Sequence, residues 1–283
     1  MKYMKLKYQL IALIAGFFVV LSGCADATTT QSLNRVAIVG ASVTAGFGVK
    51  TPPVDGDAGA YRITMKHIWE GMIDCNHDEV GYFGEMTFFG NPKAAGKESI
   101  DKTIAYNPTL VIGIDFLFWF GYGTPPKNVD PEVNRIEKLQ YAFELLDSLD
   151  AQIIVGDLPD VHGAIGKMLR SNQVPSVDTL NKLNTMIYAW AKDRPNITVV
   201  SVHDLAANLM NDEEITYLGY TWPAGSQEEL LQKDMLHTTL EGTIAASLML
   251  AEKIQTQCLE TDPNVIKNRA LERAREEKIT SLF

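Results

Sequence analysis

The sequence predicts an α/β fold, a three-layer α/β/α sandwich around a mostly parallel sheet. Apolar runs at residues 35–39, 109–114 and 152–155 lack polar alternation, which is typical of parallel strands covered by helices on both faces. Segments with helical spacing of apolar residues separate these runs, so strands and helices alternate along the chain. The chain has 283 residues, which is long enough for one sizeable core.

The other predicted elements follow from apolar runs and capping signals. Further strands are expected at residues 86–89 and 197–202. Asp130 followed by Pro131 indicates a helix start, because an aspartate caps free N–H groups and proline suits the first turn. Helices are expected over residues 61–73, 99–106, from 131, from a cap at Ser176, and over 238–254.

The ends of the chain have their own signals. Residues 1–23 have a basic start and a short apolar run, which indicate a signal peptide. Leu21-Ser22-Gly23-Cys24 resembles the bacterial lipobox, which implies a lipid on Cys24 and an anchored protein in the bacterial cell envelope, facing periplasm or exterior. An ordinary secretory signal is the alternative. We divide the remainder into a tether (24–33), one folded domain (34–258) and a charged helical tail (259–283), either frayed or docked.

The charge balance excludes one class of partner. The chain has 25 Lys and Arg against 35 Asp and Glu, a net charge of −10. Loss of three leader lysines would make it more negative still. Such an acidic chain is poorly suited to nucleic acid, which is bound largely through phosphate neutralisation.

A single serine follows the first apolar run. Residues 36–46 form the segment Val-Ala-Ile-Val-Gly-Ala-Ser-Val-Thr-Ala-Gly, which places Ser42 just beyond a strand. Ligands of open parallel sheets gather at the carboxyl ends of the strands, and small neighbouring residues allow a tight turn. Ser42 is therefore a candidate nucleophile, although a serine in this position can also simply cap the next helix.

A base and an acid lie together near the other end of the chain, in the segment Asp234-Met-Leu-His237. His237 could take the serine proton near neutral pH. Asp234 could reach the other ring nitrogen through a turn and orient the imidazole. A helix-capping turn is the alternative, and Glu241 is a less favoured orienting acid because the following helix would carry it away.

These two segments carry a family resemblance. Residues 40–46 resemble the first sequence block of the SGNH (GDSL-type) hydrolases, with Ala41 in place of the usual aspartate. The segment from Asp234 to His237, followed by Gly242, resembles the last block. The resemblance covers residues 35–255. It implies a flavodoxin-like layout, a Ser–His–Asp triad, and cleavage of a carboxylic ester through an acyl-enzyme without any cofactor.

The resemblance also suggests an oxyanion hole made by Ser42, Gly96 and Asp115. Gly96 is the best match to a family glycine whose N–H holds the oxyanion, with an ordinary loop glycine as the alternative. Asp115 stands where the family has an asparagine. A carboxylate cannot donate a hydrogen bond, so Asp115 would have to be protonated, or turn away, or leave a weakly active site.

Two apolar segments have more than one interpretation. The aromatic run 116–122 and Trp222 could form an acyl or sugar site or simply core.

A dinucleotide site is disfavoured, because Ser42 replaces the second glycine of that fingerprint. A non-catalytic lipoprotein that binds a glycan is the main alternative to an esterase. The substrate class (glycan, lipid or small ester) is not predicted.

Cysteine and histidine spacing predicts no metal site. The polar segment 74–78 contains Cys75 and His77, but adjacent residues in a short turn seldom converge on one ion. Cys75 and Cys258 could form a disulfide in an oxidising compartment, and their spacing cannot show whether they meet.

Overall fold

The computed structural model describes residues 32–56, 59–254 and 256–280. The predicted signal peptide and the predicted lipid attachment site Cys24 lie outside these residues. Within the described ranges, none of the helices has both the length and the apolar character needed to cross a membrane.

Five parallel strands form the central sheet, in the order β2-β1-β3-β4-β5. The predicted α/β class and flavodoxin-like layout are therefore confirmed. The strands are β1 (Val36–Gly40), β2 (Gly81–Gly84), β3 (Leu110–Gly113), β4 (Gln152–Gly156) and β5 (Ile197–Val200).

Helices cover both faces of this sheet. Alternate residues of β1 belong to different cores, with Val36 and Ile38 in one and Ala37 and Val39 in the other, as the period of two along a strand requires. The first core contains α1 (Met65–Met72), α8 (Leu240–Ala251) and α9 (Pro263–Glu277). The second contains α2 (Pro92–Tyr106), α3 (Phe118–Gly121), α4 (Pro131–Asp147) and α5 (Val177–Lys192).

The remaining elements lie between β5 and α8. They are α6 (Val202–Met210), a hairpin of β6 (Ile215–Tyr217) and β7 (Tyr220–Trp222), and the short helix α7 (Gln227–Leu230). The sequence analysis did not predict this hairpin. Its Trp222 is buried in the first core, so that side chain contributes to packing.

Capping signals located two helix starts correctly. Asp130 accepts hydrogen bonds from the N–H groups of Glu132 and Val133 at the start of α4, and Ser176 accepts one from Thr179 at the start of α5. The apolar spacing predicted that Val133 faces the core, but this residue, in the first turn of α4, is 49% exposed.

The second strand was predicted in the wrong place. Residues 86–89 were expected to form it, but β2 lies at Gly81–Gly84, and Phe88–Gly90 form a 3-10 turn. Both glycines of β2 lie in register with β1, Gly84 opposite Gly40. The close approach of Thr44, whose Cγ2 would be 2.8 Å from a Cβ at position 84, explains a glycine there.

The charged C-terminal segment is docked. Ile266, Ala270 and Ala274 of α9 are fully buried, and α9 packs against α1 and α8. The segment before α9 holds Cys258, whose thiol is hydrogen-bonded to that of Cys75 with no disulfide between them.

Candidate active site

Ser42 lies at the topological switch point of the sheet. The chain runs from β1 to β2 on one side and later returns to β3 on the other side, which opens a crevice at the carboxyl ends of β1 and β3. A tight turn follows β1, closed by hydrogen bonds from Ala45 N to Ala41 O and from Phe47 N to Ser42 O. Ser42 stays partly exposed in this turn.

A chain of hydrogen bonds joins Ser42, His237 and Asp234. His237 Nε2 is 2.9 Å from Ser42 Oγ, and His237 Nδ1 is 2.7 Å from Asp234 Oδ2. The serine and histidine are 195 positions apart in sequence. The arrangement suits a neutral imidazole that donates from Nδ1 to the carboxylate and accepts the serine proton at Nε2.

A short closed loop holds the histidine. Residues 232–237 are closed by a hydrogen bond from Gln232 N to His237 O, and Met235 adopts a left-handed φ of 60° within this loop. Asp234 Oδ1 accepts from the N–H groups of Leu236 and His237. Burial alone would raise the pKa of Asp234, but these bonds and the one from the imidazole outweigh it and lower the pKa.

Two residues that the sequence analysis did not identify support the imidazole. Phe47, from the serine turn, stacks on the His237 ring with 4.2 Å between ring centroids. Gln232 Nε2 donates to Phe47 O and to Thr238 O, both at 2.7 Å. A single side-chain amide therefore ties the serine turn to the histidine loop.

This tie leads to a prediction for Gln232. Changing Gln232 to Glu keeps the size of the side chain but removes its N–H donors, so the two loops lose their common anchor. We expect kcat for ester hydrolysis to fall roughly tenfold or more with a smaller change in KM, because small displacements between reacting groups are costly. Gln232→Ala should behave alike. Steady-state kinetics with unchanged kcat in both variants would contradict this role.

The carboxylate of Asp115 accepts hydrogen bonds from the turn that carries Ser42. Its Oδ1 accepts hydrogen bonds from Ala41 N (2.9 Å) and Thr44 Oγ1 (2.6 Å), and its Oδ2 accepts from Val43 N (2.8 Å) and Thr44 N (3.2 Å). Burial raises the pKa of Asp115, while these four donors oppose the shift because they favour the ionised form. Three of the four are backbone N–H groups, which can only donate, so the carboxylate functions here as an acceptor.

The geometry around Asp115 explains the glycine before the serine. A Cβ at Gly40 would lie 2.1 Å from Asp115 Oδ1 and 2.4 Å from Thr44 Oγ1. No side chain fits there without displacing the carboxylate. Gly40 and Asp115 thus form one packing unit that sets the position of Ser42.

Of the three predicted oxyanion donors, Ser42, Gly96 and Asp115, only Ser42 has a donor group available at the site. Residues 91–96 were expected to form a loop, but α2 begins at Pro92, so Gly96 lies in its second turn, where the i→i−4 pattern engages its N–H. The space beside its Cα is filled by Phe120 and Leu145, and Gly96 is not among the residues that line the cleft at Ser42. The hydrogen bonds that Asp115 accepts also leave it no donor role. Within the described residues, the Ser42 N–H has no acceptor and is available for an oxyanion.

An apolar cleft opens beside Ser42. The space inside it and in its open mouth together amounts to about 780 Å³. Its floor includes Ile114 and Phe118, and α6 forms one wall. Phe118 is the member of the aromatic run that lines this cleft, and the other aromatic side chains of the run, Phe116, Trp119, Phe120 and Tyr122, are buried in the second core.

Two groups of side chains contain possible metal ligands, an acidic cluster and the polar turn at 74–78, and the contacts of both are explained without a metal ion. Carboxylate oxygens of Glu70, Glu79 and Glu277 lie close together, but Lys66 Nζ stands among them, 2.8 Å from Glu79 and 2.5 Å from Glu277. Arg273 also pairs with Glu70, at 3.3 Å, so two cations of the protein already offset much of this negative charge. His77 Nδ1 contacts the Cys75 carbonyl oxygen, which accounts for the polar turn at 74–78.

Comparison with known proteins finds several similar solved structures, including two whose names state an activity. One is a Bacteroides fragilis protein provisionally named an acylhydrolase, 15% identical, with a TM-score of 0.48 over 78% of this chain and 86% of that one. The other is a gut microbial diltiazem-metabolizing enzyme, also 15% identical with a TM-score of 0.48. This chain aligns over 78% of its own length and about half, 46%, of that enzyme.

No protein-family model matches the sequence, and no curated protein matches it. At 15% identity and a TM-score of 0.48, the two similar structures carry no information about the reaction. The chemistry has to be inferred from the site itself.

Proposed function

We propose that this protein is a serine hydrolase of the SGNH type that cleaves a carboxylic ester through an acyl-enzyme. The observation that carries this proposal is the hydrogen-bonded chain from Ser42 through His237 to Asp234, with distances of 2.9 Å and 2.7 Å. Nucleophile, base and orienting acid stand in the order that acyl transfer requires. The open cleft at Ser42 supplies access for a substrate.

In the first half of the reaction, Ser42 Oγ attacks the ester carbonyl carbon while its proton passes to His237 Nε2. Asp234 stabilises the imidazolium that forms, since its carboxylate accepts the Nδ1 proton in a hydrogen bond. The Ser42 N–H stabilises the oxyanion. Collapse of this intermediate breaks the bond to the alcohol oxygen, which leaves with the proton from His237.

In the second half, water attacks the acyl carbon and gives its proton to His237. The bond to Ser42 Oγ then breaks, the serine regains its proton, and the carboxylic acid leaves. Every proton in this cycle travels between Ser42, His237, water and the substrate. No proton transfer requires a group other than these.

A serine-directed probe tests the proposal. A fluorophosphonate should attach covalently to the wild-type protein at Ser42, and the adduct should be found by mass spectrometry on the peptide that contains residues 36–46. Ser42→Ala should take up no label. Ser201, whose hydroxyl hydrogen-bonds Asp157, offers a matched control: Ser201→Ala should label as fast as wild type. Failure of the wild type to react, with the protein folded, would favour the ligand-binding alternative.

We also propose that the mature protein is a lipoprotein of the bacterial envelope. The support is the order of basic residues, apolar run and Leu21-Ser22-Gly23-Cys24 in the sequence. Described residues begin at Ser32, and Leu33 is already fully buried in the first core. A tether after Cys24 would therefore end before Leu33, which is short of the predicted end at residue 33.

A further inference from the structure

We propose that the cleft beside Ser42 binds the acyl chain of the ester, so that the preferred substrates carry an apolar acyl group longer than acetyl. The inference rests on the proposed serine hydrolase function and specifies its substrate class. It is carried by what lines the cleft and by where the cleft begins. Ser42 and Val43 line it together with residues of α6.

The residues of α6 that line the cleft are all apolar. Leu205 and Leu209 are buried, Ala206 lies between them, and Met210 ends the wall. Met235 and Leu236, from the loop that holds His237, complete the enclosure. Methionine side chains adapt to the shape of an apolar ligand, and an acyl chain gains from each methylene that such a surface removes from water.

Polar groups of the cleft are already engaged by the protein. Asp157 accepts hydrogen bonds from His203 N, Tyr188 Oη and Ser201 Oγ. Asp115 accepts its four from the serine turn, and the Thr238 hydroxyl is paired with that of Thr243 at 2.8 Å. A sugar ring would therefore meet few available partners inside the cleft.

The charge of the lining points in the same direction. Of the described residues around the cleft, none is a lysine or an arginine, so an anionic group would have no counter-charge there. The two carboxylates would repel it. An uncharged hydrocarbon chain is the occupant that suits this apolar lining and the absence of a counter-charge, and the alcohol part of the ester would lie towards the open mouth.

A chain-length series tests the assignment. Wild-type kcat/KM should be measured with the p-nitrophenyl esters of acetate, butyrate and octanoate. Burial of one methylene is worth about a fourfold change, so we expect roughly tenfold higher kcat/KM for butyrate than for acetate and a further rise for octanoate. A preference for acetate in a protein that a fluorophosphonate labels at Ser42 would overturn this proposal and leave the hydrolase function intact. Absence of both labelling and turnover would instead defeat the hydrolase function.

Two neighbouring alanines provide the matched variants. Ala206 lines the cleft and Ala207 does not, although both lie in α6 and both are partly exposed. Ala206→Trp should lower the octanoate-to-acetate ratio of kcat/KM at least tenfold, because the indole fills the chain site. Ala207→Trp should leave that ratio unchanged. The ratio cancels any general loss of active protein, so an unchanged ratio in Ala206→Trp would count against the acyl-chain site.

Discussion

Replacing His237 by alanine is expected to lower kcat for ester hydrolysis on the order of 10⁴- to 10⁶-fold. The imidazole is the group that contacts both Ser42 Oγ and the Asp234 carboxylate, so its loss leaves the hydroxyl without a base. Only the oxyanion donor and the cleft would then contribute to catalysis. Burst and steady-state kinetics with a p-nitrophenyl ester measure the change.

His162 offers a matched control for this prediction. Its Nδ1 is 2.5 Å from Asp160 Oδ1, so it forms a second histidine–aspartate pair, but no serine hydroxyl is bonded to it within the described residues. His162→Ala should therefore keep wild-type kcat. Comparable losses in the His162 and His237 variants would show that the effect comes from disturbed folding and would contradict the assigned role of His237.

Asp234→Asn should show what the acid adds beyond the base. The amide keeps the shape of the side chain but can present an N–H to His237 Nδ1, which would favour the wrong tautomer. A loss on the order of 10⁴ in kcat is the expected size of that effect. Folding should be affected less, because Asn can still accept from the N–H groups of Leu236 and His237.

The sheet could be predicted from sequence because its central strands are buried on both faces. β1, β3 and β4 are unbroken apolar runs next to recognisable helix caps, and local signals of this kind do not depend on distant contacts. β2 could not be located in the same way. It consists of Gly-Tyr-Phe-Gly at the edge of the sheet, and its glycines are set by contacts with Thr44 and with Tyr106, which are visible only in three dimensions.

The candidate site shows the same division. Ser42, Asp234 and His237 could be found because small-residue turns and short Asp-to-His spacing are local features. Gly96 was expected in a loop because the second strand was predicted too far along the chain. It lies instead inside α2, which begins at Pro92. Gln232 could not be found, since its side chain acts only through carbonyl oxygens of two loops, one of them 185 positions away.

Asp115 is the residue whose function the sequence left most open, and its replacement is expected to have a large effect. Asp115→Asn keeps one acceptor oxygen and puts an amide NH2 in the place of the other, so either Ala41 N or Val43 N faces a donor and loses its acceptor. We expect kcat to fall on the order of 10²-fold, because the serine turn shifts relative to His237. The free energy of unfolding should fall by about 1–3 kcal/mol per donor left unpaired, measured by urea denaturation.

Thr44→Val provides a graded comparison, since it removes one of the four donors to Asp115 and keeps the three N–H groups. Its loss of kcat should be smaller than that of Asp115→Asn.

The pH dependence of activity distinguishes an acceptor role of Asp115 from a donor role. If Asp115 were a protonated oxyanion donor, the ratio of wild-type to Asp115→Asn activity would fall as pH rises from 5 to 9. An acceptor predicts a ratio that stays level or rises, because deprotonation completes the hydrogen bonds beneath Ser42.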